Sequence, residues 1–377
     1  MASMGSRLVL AVMRPRMGLR STTGVSSPTA LRSIQSSLQA SLSLQISEVA
    51  RRLESGINGW IRGYWETPPF LYRRSIMPLR FPMKVGARCG YCLLHRGYQQ
   101  ILRSTDDEDV RRETVAALLR LLAEEFDEDA VAALIGSKRD RIIHRLTGVP
   151  DPYVDLKRQA NEAALEMLPE MERLVDARPE GERLRTACLI ACLGNVIEYD
   201  VPGHSSDFAE AFSRLAEESF YIDHLEEFKA LLGPGVGLLF LTDNAGEIVF
   251  DRLVVRELRR LGCSVTVGVK GGASLNDALM EDAEQVGMVD EADRVITTGT
   301  DAVGIDLSES SGEFLEAYGS AEVILSKGMA NWETLTEYEA PCPTLFLFRT
   351  KCEPVAAAVG TPIRQNIAKL VSKGWRL

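Results

Sequence analysis

The chain has 377 residues, 45% of them hydrophobic and 25% charged, and a formal net charge of −10 at pH 7. Such a composition fits a globular protein long enough for two domains, and no apolar run reaches the roughly 20 residues needed to span a bilayer. An acidic surface repels nucleic-acid backbones and no basic stripe with interleaved aromatics occurs, so neither nucleic acid nor membrane is an expected partner.

Charge is unevenly spread. Residues 1–82 carry 11 Arg, no Lys and 3 acids, which leaves an acidic body of 32 Lys+Arg against 50 Asp+Glu. The first 47 residues contain no acid and many Ser, the composition of an organelle transit peptide. A start assigned too far upstream is the alternative, because "MKVGARCGYCLLHRG" from Met83 reads as a natural beginning. On both readings residues 1–82 form an unstructured extension. The expected location is cytoplasmic, or organellar if the extension is a real transit peptide. Seven irregularly spaced cysteines point to a reducing compartment and free thiols.

Residues 83–233 are expected to be helical throughout. "DEDVRRETVAALLRLLAEEF" repeats apolar positions at three and four with acids in its first turn, and "DPYVDLKRQANEAALEMLPEMERLV" and "RLRTACLIACLGNVIEYDV" continue that pattern between Pro/Gly breakers. The period changes in residues 234–377. "VGLLFLTD", "CSVTVGVKG", "DRVITTG", "AEVILSKG" and "CPTLFLFRT" are short, continuous apolar runs alternating with helix-compatible segments. Strands of that kind are buried on both faces, and their alternation with helices predicts an α/β fold with a Rossmann-like, doubly wound, mainly parallel sheet in an α/β/α arrangement.

Ligands of such sheets sit at the carboxyl ends of the strands. Those ends carry Asp243 and Asn244, then Lys270 with Asn276 and Asp277 soon after, then Thr298 to Thr300, then Lys327 and Asn331, then Lys351. Carboxylate and amide oxygens suit hard divalent cations, and lysines suit an anionic group such as phosphate. Helix capping explains an Asp after a strand, and Gly permits ordinary turns at "KGG" and "SKGMAN". Capping does not call for lysines beside the acids, so recurrence at successive strand ends points to a metal-assisted phosphoryl site.

"LTDNAGEIVFDR", "LNDALMEDA", "SKGMANWETL" and "RTKCEPVA" together resemble the damage-control phosphatase family, which has the acidic-residue-methyltransferase-like metal-binding domain. "CGYCLLHRG", "TGVPDPYVDLKRQANEAAL" and "GNVIEYDVPG" are similar to its archaeal-type subgroup, whose chains begin near such a CxxC. The resemblance runs from about residue 83 to 370 and implies hydrolysis of small phosphomonoesters, sugar phosphates or damaged metabolites, with one divalent ion: Mn²⁺, Co²⁺, Ni²⁺ or Mg²⁺. It implies Asp243, Asn244 and Asp277 as metal ligands. Lys327, Gly328 and Asn331 match its KGxxN substrate-phosphate segment and Lys351 its later substrate lysine. Asn195 matches a GN motif of the helical half, where Glu198 and Asp200 compete for the acid that follows. Asn276 is a further substrate-binding candidate. Glu247 and Asp243 are both candidates for the general base.

Cys89, Cys92 and Cys352 are expected either to meet near the site as a metal or redox cluster or to be small buried hydrophobes. The four histidines form no ligand pair. Two other function classes remain open: an S-adenosylmethionine-dependent carboxyl methyltransferase, against which neither "DNAGE" nor "VKGG" looks like a nucleoside cradle, and a non-catalytic metal- or metabolite-binding protein. The expected partner is a small phosphorylated metabolite.

Overall fold

The computed structural model describes residues 83–194, Phe212 and 215–377. Five helices come first: α1 (Ala87–Ser104), α2 (Glu108–Glu125), α3 (Ala132–Thr147), α4 (Val154–Asp176) and α5 (Glu180–Gly194). Local chemistry sets their ends. Asp107 caps α2 by accepting from the Asp109 and Val110 amides at 2.9 and 3.2 Å, with Glu108 and Asp109 lying at the positive end of the helix dipole. Gly148 stops α3 in the left-handed conformation, φ +73°. The apolar second half of α5 is buried.

Then follow β1 (Phe220–Asp223), α6 (Leu225–Lys229), β2 (Gly237–Leu241), α7 (Glu247–Arg260), β3 (Ser264–Val269), α8 (Met280–Gln285), α9 (Met288–Glu291) and β4 (Arg294–Thr297). The chain ends with α10 (Gly312–Ser320), β5 (Val323–Lys327), α11 (Met329–Leu335), β6 (Thr344–Arg349), α12 (Glu353–Val359) and β7 (Asn366–Val371). The strands form one seven-stranded sheet in the order β1-β7-β6-β5-β2-β3-β4. Every neighbouring pair is parallel except β6 with β7.

Alternation across β2 shows why its sequence reads as a continuous apolar run. Leu238 and Phe240 enter the core beneath α4, α5 and α7, whereas Leu239 and Leu241 enter the opposite core around Phe314, Trp332 and Phe346. Both faces are covered, so both sets are apolar. Gly194 of α5 lies so close to Phe250 of α7 that an added Cβ would come within 2.8 Å of the ring, which sets how near the two helices lie.

The region expected to be helical throughout ends in strand β1, and β7 was also not foreseen. β1 is four residues long with no fully buried position, and β7 includes Lys369, so neither shows a continuous apolar run. Winding reverses between β2 and β5: the chain leaves β2 toward β3 and β4, then returns to β2's other side through β5. That junction is a topological switch point, and such a point leaves a crevice beyond the strand ends. Helices α1–α3 are fastened over this end through Val303, whose amide donates to Ser137 Oγ at 2.9 Å, and through Arg141, which pairs with Asp301 and Glu309.

Candidate active site at the switch point

Two turns meet at the end of β2. Asn244 and Asp277 pair as an isolated antiparallel bridge, the Ala245 amide donating to Asn276 O at 2.9 Å and the Ala278 amide to Asp243 O at 2.8 Å. This stitching brings the side chains of Asp243, Asn244 and Asp277 to one cleft. Gly246, at φ +77°, turns the chain into α7, and its amide donates to the buried Asn161 Oδ1 of α4 at 2.6 Å. Asn161 in turn donates to Asp282 Oδ1 at 2.8 Å, so the helical half holds the turn in place.

The orientation of Asn244 follows from its neighbours. Its Nδ2 donates to Asp243 Oδ2 at 2.8 Å and to Glu247 Oε2 at 3.1 Å, which leaves the amide oxygen as the atom it offers a ligand. Asp277 Oδ2 is buried with no hydrogen-bond partner among the described residues and lies 3.5 Å from Lys270 Nζ. Burial raises the Asp277 carboxyl above the usual carboxylate range, against the opposing pull of Lys270 and Arg96. Lys270 itself is held by Gly304 O.

Behind this front row lies a closed ionic cluster. Lys327 is fully buried, and its ammonium donates to Glu247 Oε1, to Asp251 Oδ1 at 2.7 Å and to Ala191 O at 3.3 Å. Burial alone would lower that lysine's pKa; Asp251 and Glu247 outweigh it and hold the group charged. Burial pushes Asp251 up to about 7, opposed by Lys327. Asn331 Nδ2 donates to Thr242 O at 3.0 Å and Lys327 O at 2.8 Å, tying the ends of β2 and β5 together.

Gly328 has φ +81°, and a Cβ there would overlap the Asp243 carboxylate. Its amide donates to Leu347 O at 3.3 Å and so is not offered to a ligand. Gly328→Ala is expected to cost about 2–3 kcal/mol, from the left-handed backbone and the displaced carboxylate. A urea midpoint equal to that of the unmodified protein would show that the turn simply relaxes.

The cleft in front of Asp243, Asn244 and Asp277 is also lined by Arg96 of α1 and by Lys351. It opens outward, past Arg96, Leu275 and Lys351, into a wider chamber of about 120 Å³. Leu275, at the boundary, is one of the few non-glycine residues with positive φ, +49°. Such strained positions cluster at ligand sites.

Comparison with known proteins fits this geometry. Residues 85–367 match the damage-control phosphatase ARMT1-like domain. This chain belongs to the damage-control phosphatase family. It is 35% identical over 292 residues to a damage-control phosphatase of Archaeoglobus fulgidus, an alignment covering 77% of this chain and 100% of that one. Identity to a damage-control phosphatase of Pyrococcus horikoshii is 31%, over 74% of this chain and 96% of the relative. The crystal structure of a DUF89 family protein from P. horikoshii superposes with a TM-score of 0.68 at 31% identity, covering 77% of this chain and 99% of that one.

Within this family member the residues singled out in the sequence fall into four groups. Asp243, Asn244, Asp277 and Lys351 line the cleft. Glu247, Lys327 and Asn331 are buried behind it, Lys327 bonded to Glu247 and Asn331 to the Lys327 carbonyl, and do not line it. Asn276 is buried beside the site, its Nδ2 lacking a hydrogen-bond partner among the described residues. Asn195, Glu198 and Asp200 lie outside the described residues.

Cys89, Cys92 and Cys352 do meet, lining the outer chamber with no disulfide between them. Among the described residues no group of three or more His, Cys, Asp or Glu is placed to hold a metal ion, so the cysteines are not arranged as a metal cluster. Burial pushes Cys352 up to about 12 and raises Cys89, which keeps both as unreactive thiols. Arg96 is the cleft residue that sequence reading missed. It shares one face of α1 with Cys89 and Cys92 at helical intervals.

Proposed function

We propose that this family member is a metal-dependent phosphatase acting on small phosphomonoesters, and that it belongs with the archaeal-type, CxxC-bearing branch. The observation that carries the proposal is the donor set at the switch point. Two buried carboxylates and an oriented amide oxygen face a cleft whose other polar lining is cationic, Arg96 and Lys351.

The donor chemistry fits a hard divalent cation. Asp277 Oδ2 is a buried oxygen without a protein hydrogen-bond partner among the described residues, Asn244 presents its carbonyl oxygen, and Gly328 leaves room against Asp243. Asp243, Asn244 and Asp277 would hold Mn²⁺, Co²⁺, Ni²⁺ or Mg²⁺, all of which accept oxygen ligands. Bound there, the ion supplies Lewis acidity toward a phosphoryl oxygen and acidifies water.

The chain's own residues perform the remaining tasks. Arg96 and Lys351, from opposite ends of the sequence, clamp the phosphoryl oxygens and neutralise the charge they gain as the bond to the leaving group stretches. Asp243, which lines the cleft where Glu247 does not, would take a proton from attacking water. Glu247, bonded on one side to Asn244 and on the other to Lys327, is a positioning residue rather than the base. Leu275 and Met329 narrow the entrance and reduce competing water.

The test is phosphate release from a panel of phosphomonoesters, after chelation and after adding each cation back. Release that returns with the cation is the expected result. No release with any cation, together with methyl transfer from S-adenosylmethionine, would sink the proposal. Arg96→Ala is expected to lower kcat/KM about 10–100-fold, with KM rising, because a charge-assisted phosphate contact is lost. An unchanged KM would remove Arg96 from the substrate site.

A further inference from the structure

The segment "DPYVDLKRQANEAAL" leads into α4 and places Lys157 and Asn161 one turn apart on that helix. Both side chains are buried, yet neither lines the cleft. A polar group withdrawn from water needs partners, and those of Asn161 come from two separate stretches of the site. Its Oδ1 accepts from the Gly246 amide at 2.6 Å, two residues past Asn244. Its Nδ2 donates to Asp282 Oδ1 and to Gln285 Oε1, each at 2.8 Å, in the helix that follows Asp277.

These partners leave Asn161 one orientation, because a backbone N–H can face only its oxygen and a carboxylate only its nitrogen. Asp282 is itself held: its Oδ2 accepts from the Leu279 amide at 2.9 Å and lies 3.7 Å from the Lys157 ammonium, which Asp151 engages at 2.7 Å. Gly246 has φ +77° and no side chain to cap α7, so its amide belongs to the donors that a helix start leaves without a partner. Asn161 supplies that acceptor from another helix, and with the other end of the same amide group it grips α8. Two backbone hydrogen bonds join the turns beside it, Ala245 to Asn276 and Ala278 to Asp243. An apolar side chain in place of Asn161 would leave the Gly246 amide without its acceptor and Asp282 short of a donor.

We propose that Asn161 is a positioning residue for the cation, setting the spacing between the turn that bears Asp243 and Asn244 and the segment that bears Asp277. This assignment rests on the metal-dependent phosphatase reading above. Divalent cations accept a narrow range of ligand distances, and partners that orient the ligands change metal affinity or activity by about 10–100-fold. The phosphate contacts assigned to Arg96 and Lys351 come from other elements, so loss of Asn161 weakens the cation and spares the substrate.

Calorimetric titration of the chelated full chain with Mn²⁺ reads this without turnover. Asn161→Ala is expected to raise the Mn²⁺ Kd about 10–100-fold. Substrate KM at saturating Mn²⁺ is expected to stay within about twofold of the original, because no substrate contact is lost. If that variant does not fold, Asn161→Asp takes its place: it keeps the acceptor for Gly246 and sets a carboxylate against Asp282. The exchange Asn161→Asp/Asp282→Asn restores a donor and an acceptor to the pair and is expected to bring Kd back to within about threefold.

A folded Asn161→Ala with a lowered Tm and an unchanged Kd would overturn the assignment, since a merely structural residue behaves that way. An exchange that recovers Tm but not Kd would overturn it as well. Mn²⁺ bound tightly by an unaltered chain that releases no phosphate would remove the phosphatase reading alone, whereas no cation binding by the unaltered chain would remove both.

Discussion

Asp277→Ala is expected to abolish cation-stimulated phosphate release while leaving the fold at least as stable as before. Losing a group that merely orients a metal ligand costs about 10–100-fold, and a direct ligand costs more, so a fall beyond roughly 10³-fold is the expected outcome. The cation's apparent activation constant should rise in parallel wherever residual activity can be measured. The stability half follows from burial. Asp277 Oδ2 lacks a hydrogen-bond partner among the described residues, and burial raises the carboxyl from its ordinary 3.8 to about 6, so the ionised form is strained in the folded protein.

The sign of the pH dependence follows. A raised folded pKa favours the folded state while the group is protonated, and that advantage is lost as pH rises through the folded value. In chelated protein, Asp277→Asn should match the original below about pH 4 and become progressively more stable than it up to about pH 6. A carboxylate tolerated at this cost to stability is a candidate functional group. Full phosphatase activity in Asp277→Ala, or a stability deficit that grows with pH in Asp277→Asn, would contradict the assignment.

How much of this was legible depended on which side of the sheet end a residue faces. β2 to β6 are readable because both faces are buried, so their apolar runs are unbroken; β1 and β7 lack that signature. Asp243, Asn244, Asp277 and Lys351 line the cleft near the strand ends, where a parallel sheet leaves its crevice. The same rule put forward Lys327. A lysine ending a strand reads as a phosphate-binding group, yet this one turns back under α7. The clue was in "EIVFD": Glu247 and Asp251 stand four apart on one helical face, where like charges repel unless a cation lies between them. Arg96 had no comparable clue, since no sequence rule links a face of α1 to a strand end some 150 positions later.

Lys327→Met is expected to produce the largest loss of stability of any single change near the site. It leaves Glu247 and Asp251, both fully buried, without the ammonium that both now share. Removing one partner of a buried ion pair costs about 3–5 kcal/mol, which for a unit of this size lowers Tm by roughly 10 °C. The loss should also reach the cleft, because Glu247 is what holds the Asn244 amide in its orientation. Neutralising the acids as well, in Lys327→Met/Glu247→Gln/Asp251→Asn, should recover much of the stability, since the penalty lies in the uncompensated charges rather than in the lost pair. Activity need not return with it, because a Gln at position 247 no longer offers Asn244 a carboxylate. If Lys327 instead served as a phosphate ligand, Lys327→Met would keep its Tm and raise KM, and the closed ionic cluster would not be its resting place. Thermal unfolding of the chelated protein separates the two without any substrate, which makes the buried lysine the sharpest distinction between what supports this site and what touches its ligand.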